Sequence, residues 1–188
     1  MLVAALTATV LASVQGPLIV EVPDSGHIVR VGDFRPKQTL GDHDFPGGVA
    51  PTRRNAIKAF GRPDGKDPRG CPNKWKTLKL RMTVADFGGG PVCAGRTRIQ
   101  RLTISSRRWR TERGLRVGDS LDRVRELYPE LMSYREWLDG ANREYRNHWV
   151  LVFEDSEFAG PPGIDRLSAV IRKRTVRSLI VSPYGAGD

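Results

Sequence analysis

A chain of 188 residues, 39% hydrophobic and 28% charged, has enough apolar mass for one domain or two small ones, and is neither a disordered nor a membrane-embedded composition. Thirty-one Lys and Arg against 21 Asp and Glu leave a net charge of +10, which attracts polyanions and steers acidic partners. Arginine supplies 24 of the cations and lysine 7, a skew that GC-rich coding alone can produce, so arginine abundance by itself is weak evidence for phosphate recognition.

The first charged side chain is Glu21, and residues 2–14 are apolar apart from Thr7, Thr9 and Ser13 before Gly16-Pro17 breaks the run. That stretch is shorter than the roughly 20 apolar residues of a membrane-spanning helix. It fits a secretory signal over residues 1–13, with Val10-Leu11-Ala12 as a small-residue cleavage site, although no Lys or Arg precedes it. The alternative is a buried N-terminal strand or helix. No cysteine follows the run, which argues against a lipid anchor.

The runs Leu-Ile-Val-Glu-Val at 18–22 and His-Ile-Val-Arg-Val at 27–31 flank Pro23-Asp24-Ser25-Gly26 and predict a hairpin. Residues 32–51, rich in Gly, Pro and Asp, read as a loop. Thr52 caps a short helix through Phe60, with Ala56, Ile57 and Phe60 inward, and Gly61 and Pro63 stop it. Alternation predicts a strand over 77–85, then a loop over 88–98 and a strand over 99–105. A second helix is capped by Asp119 or Ser120, lines Leu121, Val124, Leu127 and Tyr128 on one face, and ends at Pro129. After a polar stretch through Asn147, strands follow at 149–153, 167–171 and 176–182, the last two joined around Lys173-Arg174.

Cys71 and Cys93 are the whole cysteine complement. In an exported chain an even count reads as a bridge, which over such a loop contributes about 3 kcal/mol in the chain-entropy model. A zinc site would need further ligands at suitable spacing, and the three histidines are scattered. A catalytic thiol is the remaining alternative.

Thr52 and Ser120 lie 68 positions apart, as do Ala56/Val124, Ala59/Leu127, Phe60/Tyr128 and Ile99/Leu167. The echo predicts an α+β chain of two similar halves, 18–110 and 111–185, each a short helix packed on an antiparallel sheet. Chance is the competing explanation, because helix-then-strands is a common order.

The stretch Gly114-Leu-Arg-Val-Gly-Asp-Ser-Leu-Asp-Arg-Val-Arg-Glu-Leu-Tyr-Pro129 resembles the helix of the β-lactamase inhibitor protein family. It also resembles the outer-membrane assembly lipoproteins of the SmpA/OmlA (BamE-like) type, and residues 53–63 look like a degenerate copy of the same helix. Trp109-Arg-Thr before Arg113-Gly114-Leu115 is similar to small exported actinobacterial proteins of unassigned activity. The resemblance implies helices packed on one face of an antiparallel sheet, in tandem, and protein binding rather than catalysis. Neither family's partner carries over, since the anchor cysteine is missing and the inhibitor's contact loops do not map.

Several constellations invite chemistry and have plainer explanations beside them. Asp86-Phe87-Gly88 lacks the other kinase motifs and reads as a turn. Gly88-Gly89-Gly90-Pro91 is followed by Val-Cys rather than by a helix, so it reads as a loop tip. Asp42-His43-Asp44 lacks a third distant ligand, and His148 has no nucleophile motif to serve. Glu154, Asp155 and Glu157 sit where a strand exits and are explained by solvation. Between 96 and 125 ten arginines face Glu112, Asp119 and Asp122. Within that segment Arg107, Arg108, Trp109, Arg110 and Arg113 form a candidate anion or partner contact. The alternative is that Trp109 fills the core while the arginines snorkel around it.

No nucleophile–base–orienter set, cofactor motif or nucleic-acid fold signature is present, so an enzyme such as a small hydrolase ranks last. The residues support a non-catalytic secreted binding module, outside the cell or in its envelope, that meets a protein partner. The rival is a basic envelope-associated protein held by anionic wall polymers through residues 96–125. Export predicts a mature N-terminus between Ala12 and Gly16. Intact-mass measurement of the secreted protein checks this, and retention of Met1 would remove the export claim.

Overall fold

The computed structural model describes residues 18–22, 30–36, 39–40, 43–44, 49–68, 70–85, 93–133, 146–154 and 164–183. The chain runs β1 (Leu18–Glu21), β2 (Arg30–Val31), β3 (Thr39–Leu40), β4 (His43–Asp44), α1 (Arg53–Phe60), β5 (Gly65–Lys66), β6 (Pro72–Trp75), β7 (Leu80–Ala85) and β8 (Arg98–Ile104). It continues through β9 (Trp109–Thr111), α2 (Leu121–Leu127), β10 (Met132–Ser133), β11 (His148–Glu154), β12 (Ile164–Arg172) and β13 (Thr175–Val181). The N-terminal segment read as a signal lies outside the described residues. Among the described residues no helix is long and apolar enough to cross a membrane.

Both helices start where a hydroxyl meets an otherwise unpaired amide. The Thr52 side chain accepts from the Asn55 amide at 3.4 Å, and that of Ser120 from the Arg123 amide at 3.1 Å. Gly61, at φ 78°, ends α1, and Pro129 follows the Tyr128 cap of α2. Each helix buries a narrow stripe: Ala56 with the stem of Arg53 on α1, and Leu121 with Val124 on α2.

The expected architecture of two helix-on-sheet halves is overturned. The chain is mostly β, with helices of only eight and seven residues. One antiparallel sheet of eight strands runs in the order β10-β11-β12-β13-β8-β7-β6-β5. Its centre is the pairing of β8 with β13 through Leu102↔Val181, Thr103↔Ile180 and Ile104↔Leu179. The echo at the helix caps reports how a helix starts and stops. How wide a sheet grows depends on which strand edges pair, and cap residues carry no information about that.

Smaller departures have local causes. The strand expected from residue 77 begins at Leu80, because residues 76–79 form a turn with Lys79 in the left-handed region at φ 48°. Strands β6, β9 and β10, of four, three and two residues, are too short for alternation to reveal them in the sequence, so their pairing partners define them. A separate sheet has β1 at its centre, antiparallel to β2 and parallel to β9. On it the opposed Glu21 and Arg30 form an ion pair.

The core lies where this small sheet and the two helices meet one face of the large sheet. It includes Val20 and Val31, Ala56 and Val124, and the inward residues Leu80, Met82, Leu102, Ile104, Leu167, Ala169, Leu179 and Val181. Two tryptophans complete it, each with its indole N–H satisfied by a backbone carbonyl. Trp75 donates to Gly61 at 2.8 Å and Trp109 to Leu78 at 2.9 Å. Phe60 bridges Phe34 and Trp75, with ring centroids 5.7 and 5.4 Å away, and pins the end of α1 to β6.

Cys71 and Cys93 are joined, with S–S 2.03 Å, and tie the start of β6 to the approach to β8. A polar chain secures the same corner. Arg53 donates to Asn73 Oδ1 at 2.9 Å, Asn73 donates to Asp67 Oδ2 at 3.0 Å, and Asp67 Oδ1 accepts the Cys71 amide at 2.9 Å. Arg53 and Asn73 are buried, and hydrogen bonding is what makes their burial tolerable.

Trp109 is fully buried. Trp109→Ala is expected to cost about 3–5 kcal/mol, and Trp109→Phe less, through the lost volume and the Leu78 carbonyl left without its donor. Urea melts of the two variants check the order. Wild-type stability of the alanine variant would contradict the packing described.

Candidate functional site

Alternation along the strands of the large sheet sends every second side chain to the face turned away from the helices. Cross-strand register lines these up in rows. One row runs Lys74, Arg81, Thr103, Ile180, Ser168, Val150 and Met132, through strands β6 to β10 in sheet order. Its neighbour carries Ser178, Val170 and His148. On this face hydroxyls take many of the positions that the core face gives to Leu, Ile and Val.

A cleft of about 670 Å³ opens there, lined by Arg81, Thr103, Ser105, His148, Val170, Arg172, Lys173, Arg177, Ser178 and Ile180. That volume falls in the usual range for small-molecule sites, about 300–1,000 Å³. The floor is the partly or fully buried Thr103, Val170, Ser178 and Ile180, and the exposed Arg81, Arg172, Lys173 and Arg177 form the rim. Among the described residues no Asp or Glu lines it. Among the described residues none of those four cations has a carboxylate partner, and the hydroxyls of Thr103, Ser105 and Ser178 make no hydrogen bond. Among the described residues, four positive charges without carboxylate partners therefore surround a floor that mixes hydroxyls with apolar side chains.

Compared with known protein families, curated proteins and solved structures, the chain matches none. The likeness to β-lactamase inhibitor and SmpA/OmlA-type proteins rests on the quoted residues alone.

Two backbone irregularities aim the rim. Val170 pairs with Ser178 but Ile171 with Val176, so Arg177 is an extra residue in β13. Such a bulge breaks the alternation of faces, and here Arg177 and Ser178, adjacent in sequence, both line the cleft. The β12–β13 turn holds Lys173 at φ 49° and Arg174 at φ 58°. Two consecutive left-handed residues make the hairpin turn that Asn-Gly fills at least cost, so two long basic side chains sit on an unfavourable backbone. The turn is anchored to α2. Leu121 donates to the Arg174 carbonyl at 2.9 Å, and the Arg174 guanidinium meets both Asp122 oxygens at 2.7 and 3.0 Å.

The basic segment singled out from the sequence lies elsewhere. Trp109 is in the core and presents no ring to a ligand. Arg107 lies across Gly118, where an added Cβ would fall 2.6 Å from its Nε. Arg113 donates to the Leu127 carbonyl at 2.9 Å with its guanidinium 4.9 Å from the centre of the Tyr128 ring. Arg108 is exposed and Arg110 half-buried. None of these five residues lines the cleft. Trp75 is buried and Trp149 packs against the core, while Trp137 and Tyr145 lie outside the described residues, as do Asp86, Phe87 and the glycines that follow. Among the described residues no group of three His, Cys, Asp or Glu could hold a metal ion. The cleft residues themselves were legible only as positions on or beside predicted strands and as the flanks of a hairpin around Lys173-Arg174.

Replacing Lys173-Arg174 by Asn-Gly puts the two residues that best tolerate left-handed backbone at these positions and is expected to stabilise the fold by about 1–2 kcal/mol, less the exposed Arg174–Asp122 pair. Chemical denaturation of the K173N/R174G variant checks this. A loss of stability would show that the basic pair is there for the fold.

Proposed function

We propose that this protein is an exported, non-catalytic binding module whose ligand or partner is anionic, received on the sheet face opposite the helices. One observation carries the reading: four cations without carboxylate partners among the described residues converge on one hydroxyl-floored cleft. A chain with net charge +10 gathers anions by long-range attraction, and such a cleft gives that attraction a place to act. The Cys71–Cys93 bridge is compatible with an oxidising compartment, and the uncharged N-terminal run supports export to one.

A partner held by apolar contact finds less support. Val49 is the only large hydrophobic side chain exposed among the described residues, so they offer no apolar docking patch. An acidic protein surface or an anionic envelope polymer both satisfy the charge requirement.

The test compares two charge reversals of equal size. R81E/R172E/R177E removes the rim, and R62E/R96E/R116E alters exposed arginines outside the cleft. Binding to immobilised polyphosphate and poly-L-glutamate is measured for each at low and high salt. The rim variant is expected to lose affinity by about tenfold or more while the control stays near wild type. Equal losses in both would mean that net charge alone holds the polyanion, and the cleft reading would fall.

A further inference from the structure

The cleft's donors approach from two directions. Hydroxyls of Thr103 and Ser178 rise from the sheet, and guanidinium groups of Arg81, Arg172 and Arg177 stand at the rim with the Lys173 ammonium. A carboxylate holds its acceptor lone pairs in a single plane on two oxygens, which one arginine fork can satisfy. A tetrahedral oxyanion offers oxygens pointing several ways. It can meet a floor and a wall at once.

Charge and size narrow the ligand further. A phosphate monoester carries about −1.5 to −2 at neutral pH. Four rim cations therefore match two such groups better than one. The cleft, at about 670 Å³, has far more room than a single phosphate needs. Val170 and Ile180 place apolar surface on the floor among the hydroxyls, where the uncharged body of an organic molecule would rest. The strained turn points the same way. Lys173 holds its place at the rim on backbone that favours Asn or Gly, and a position kept at conformational expense is one where function outweighs stability.

Resting on the anion-binding reading above, we propose that the cleft is a site for an organic phosphate carrying two or more phosphate groups. Arg81 and Arg177 clamp the phosphates from opposite sides of the β8–β13 seam, and Thr103 and Ser178 donate from the floor.

Isothermal titration and amide chemical-shift mapping on the full chain test it, with fructose 1,6-bisphosphate as probe. Butane-1,2,3,4-tetracarboxylate serves as a carboxylate of comparable charge, and inorganic phosphate is compared with inorganic sulfate. The bisphosphate is expected to bind at least about tenfold tighter than the tetracarboxylate and to shift the amides of Thr103, Ser105 and Ser178. R81Q/R177Q is expected to weaken it by about tenfold or more, and T103V/S178A by several-fold, at unchanged melting temperature. K173N/R174G, a fold-neutral or stabilising change, is expected to weaken it as well. Equal or tighter binding of the tetracarboxylate, or shifts confined to other residues, would overturn the proposal. Sulfate binding as well as phosphate would reassign the site to sulfate esters and overturn it equally. If no bisphosphate binds while the rim variant still loses polyanions, the phosphate assignment fails and the broader anionic reading stands. If both fail, the cleft is not the site.

Discussion

Strand β8 would be the exposed edge of a four-stranded sheet if β13 did not pair with it, and an exposed edge leaves a row of backbone donors and acceptors unsatisfied. The three residue pairs across that seam, from Leu102↔Val181 to Ile104↔Leu179, remove both edges and make one sheet eight strands wide. On the core face the seam brings Leu102 and Ile104 beside Leu179 and Val181, so two apolar surfaces become one. On the other face it sets Thr103 beside Ile180. The cleft exists because of this: Arg81, Thr103 and Ser105 come from one side of the seam, and the remaining lining residues from the other.

What the seam brings together, local irregularity then aims. A regular β13 would have sent Arg177 and Ser178 to opposite faces, and the bulge lets both reach the cleft. The hairpin tip shows the same preference for placement over ease, since Lys173 and Arg174 occupy left-handed backbone in adjacent positions. The tip is not loose, however. Backbone bonds from Gly118 and Leu121 to the carbonyls of Val176 and Arg174 fasten it to the start of α2. Helix α2 thus acts, in this fold, as the brace for one rim of the cleft.

The excess of arginine has two different fates. In and around α2 much of it is spent on structure: Arg123 pairs with Glu126, Arg125 lies near Asp122, Arg113 caps the Leu127 carbonyl, and Arg107 covers Gly118. Surface pairs of this kind are worth little individually, about 0–1 kcal/mol each, but they neutralise the charge locally. The rim cations lack such partners among the described residues. Density of arginine along the chain is therefore a poor guide to where positive potential is available, because neighbours in sequence are also where compensating carboxylates sit.

Where the chain reverses or caps, single residues decide, and these points were legible from the sequence. Thr52 and Ser120 as helix caps, Gly61 and Pro129 as stops, and the pairing of β1 with β2 follow from side-chain chemistry acting over a few residues. So does the hairpin around Lys173-Arg174, and with an exported chain assumed, the Cys71–Cys93 bridge. In the sequence a large ring beside arginines suits both core and ligand, and only the neighbours of Trp109, Leu78 and Gly32, decide for the core. The single sheet, its seam and the cleft were beyond sequence reasoning for one physical reason. Arg81 and Arg177 lie 96 residues apart, and whether they share a face and a site depends on which edges pair and where a bulge shifts the register. Those are choices made by packing the whole chain at once. The sequence by itself determined the local elements and the surplus of positive charge; the tertiary structure decided where that charge has no partner.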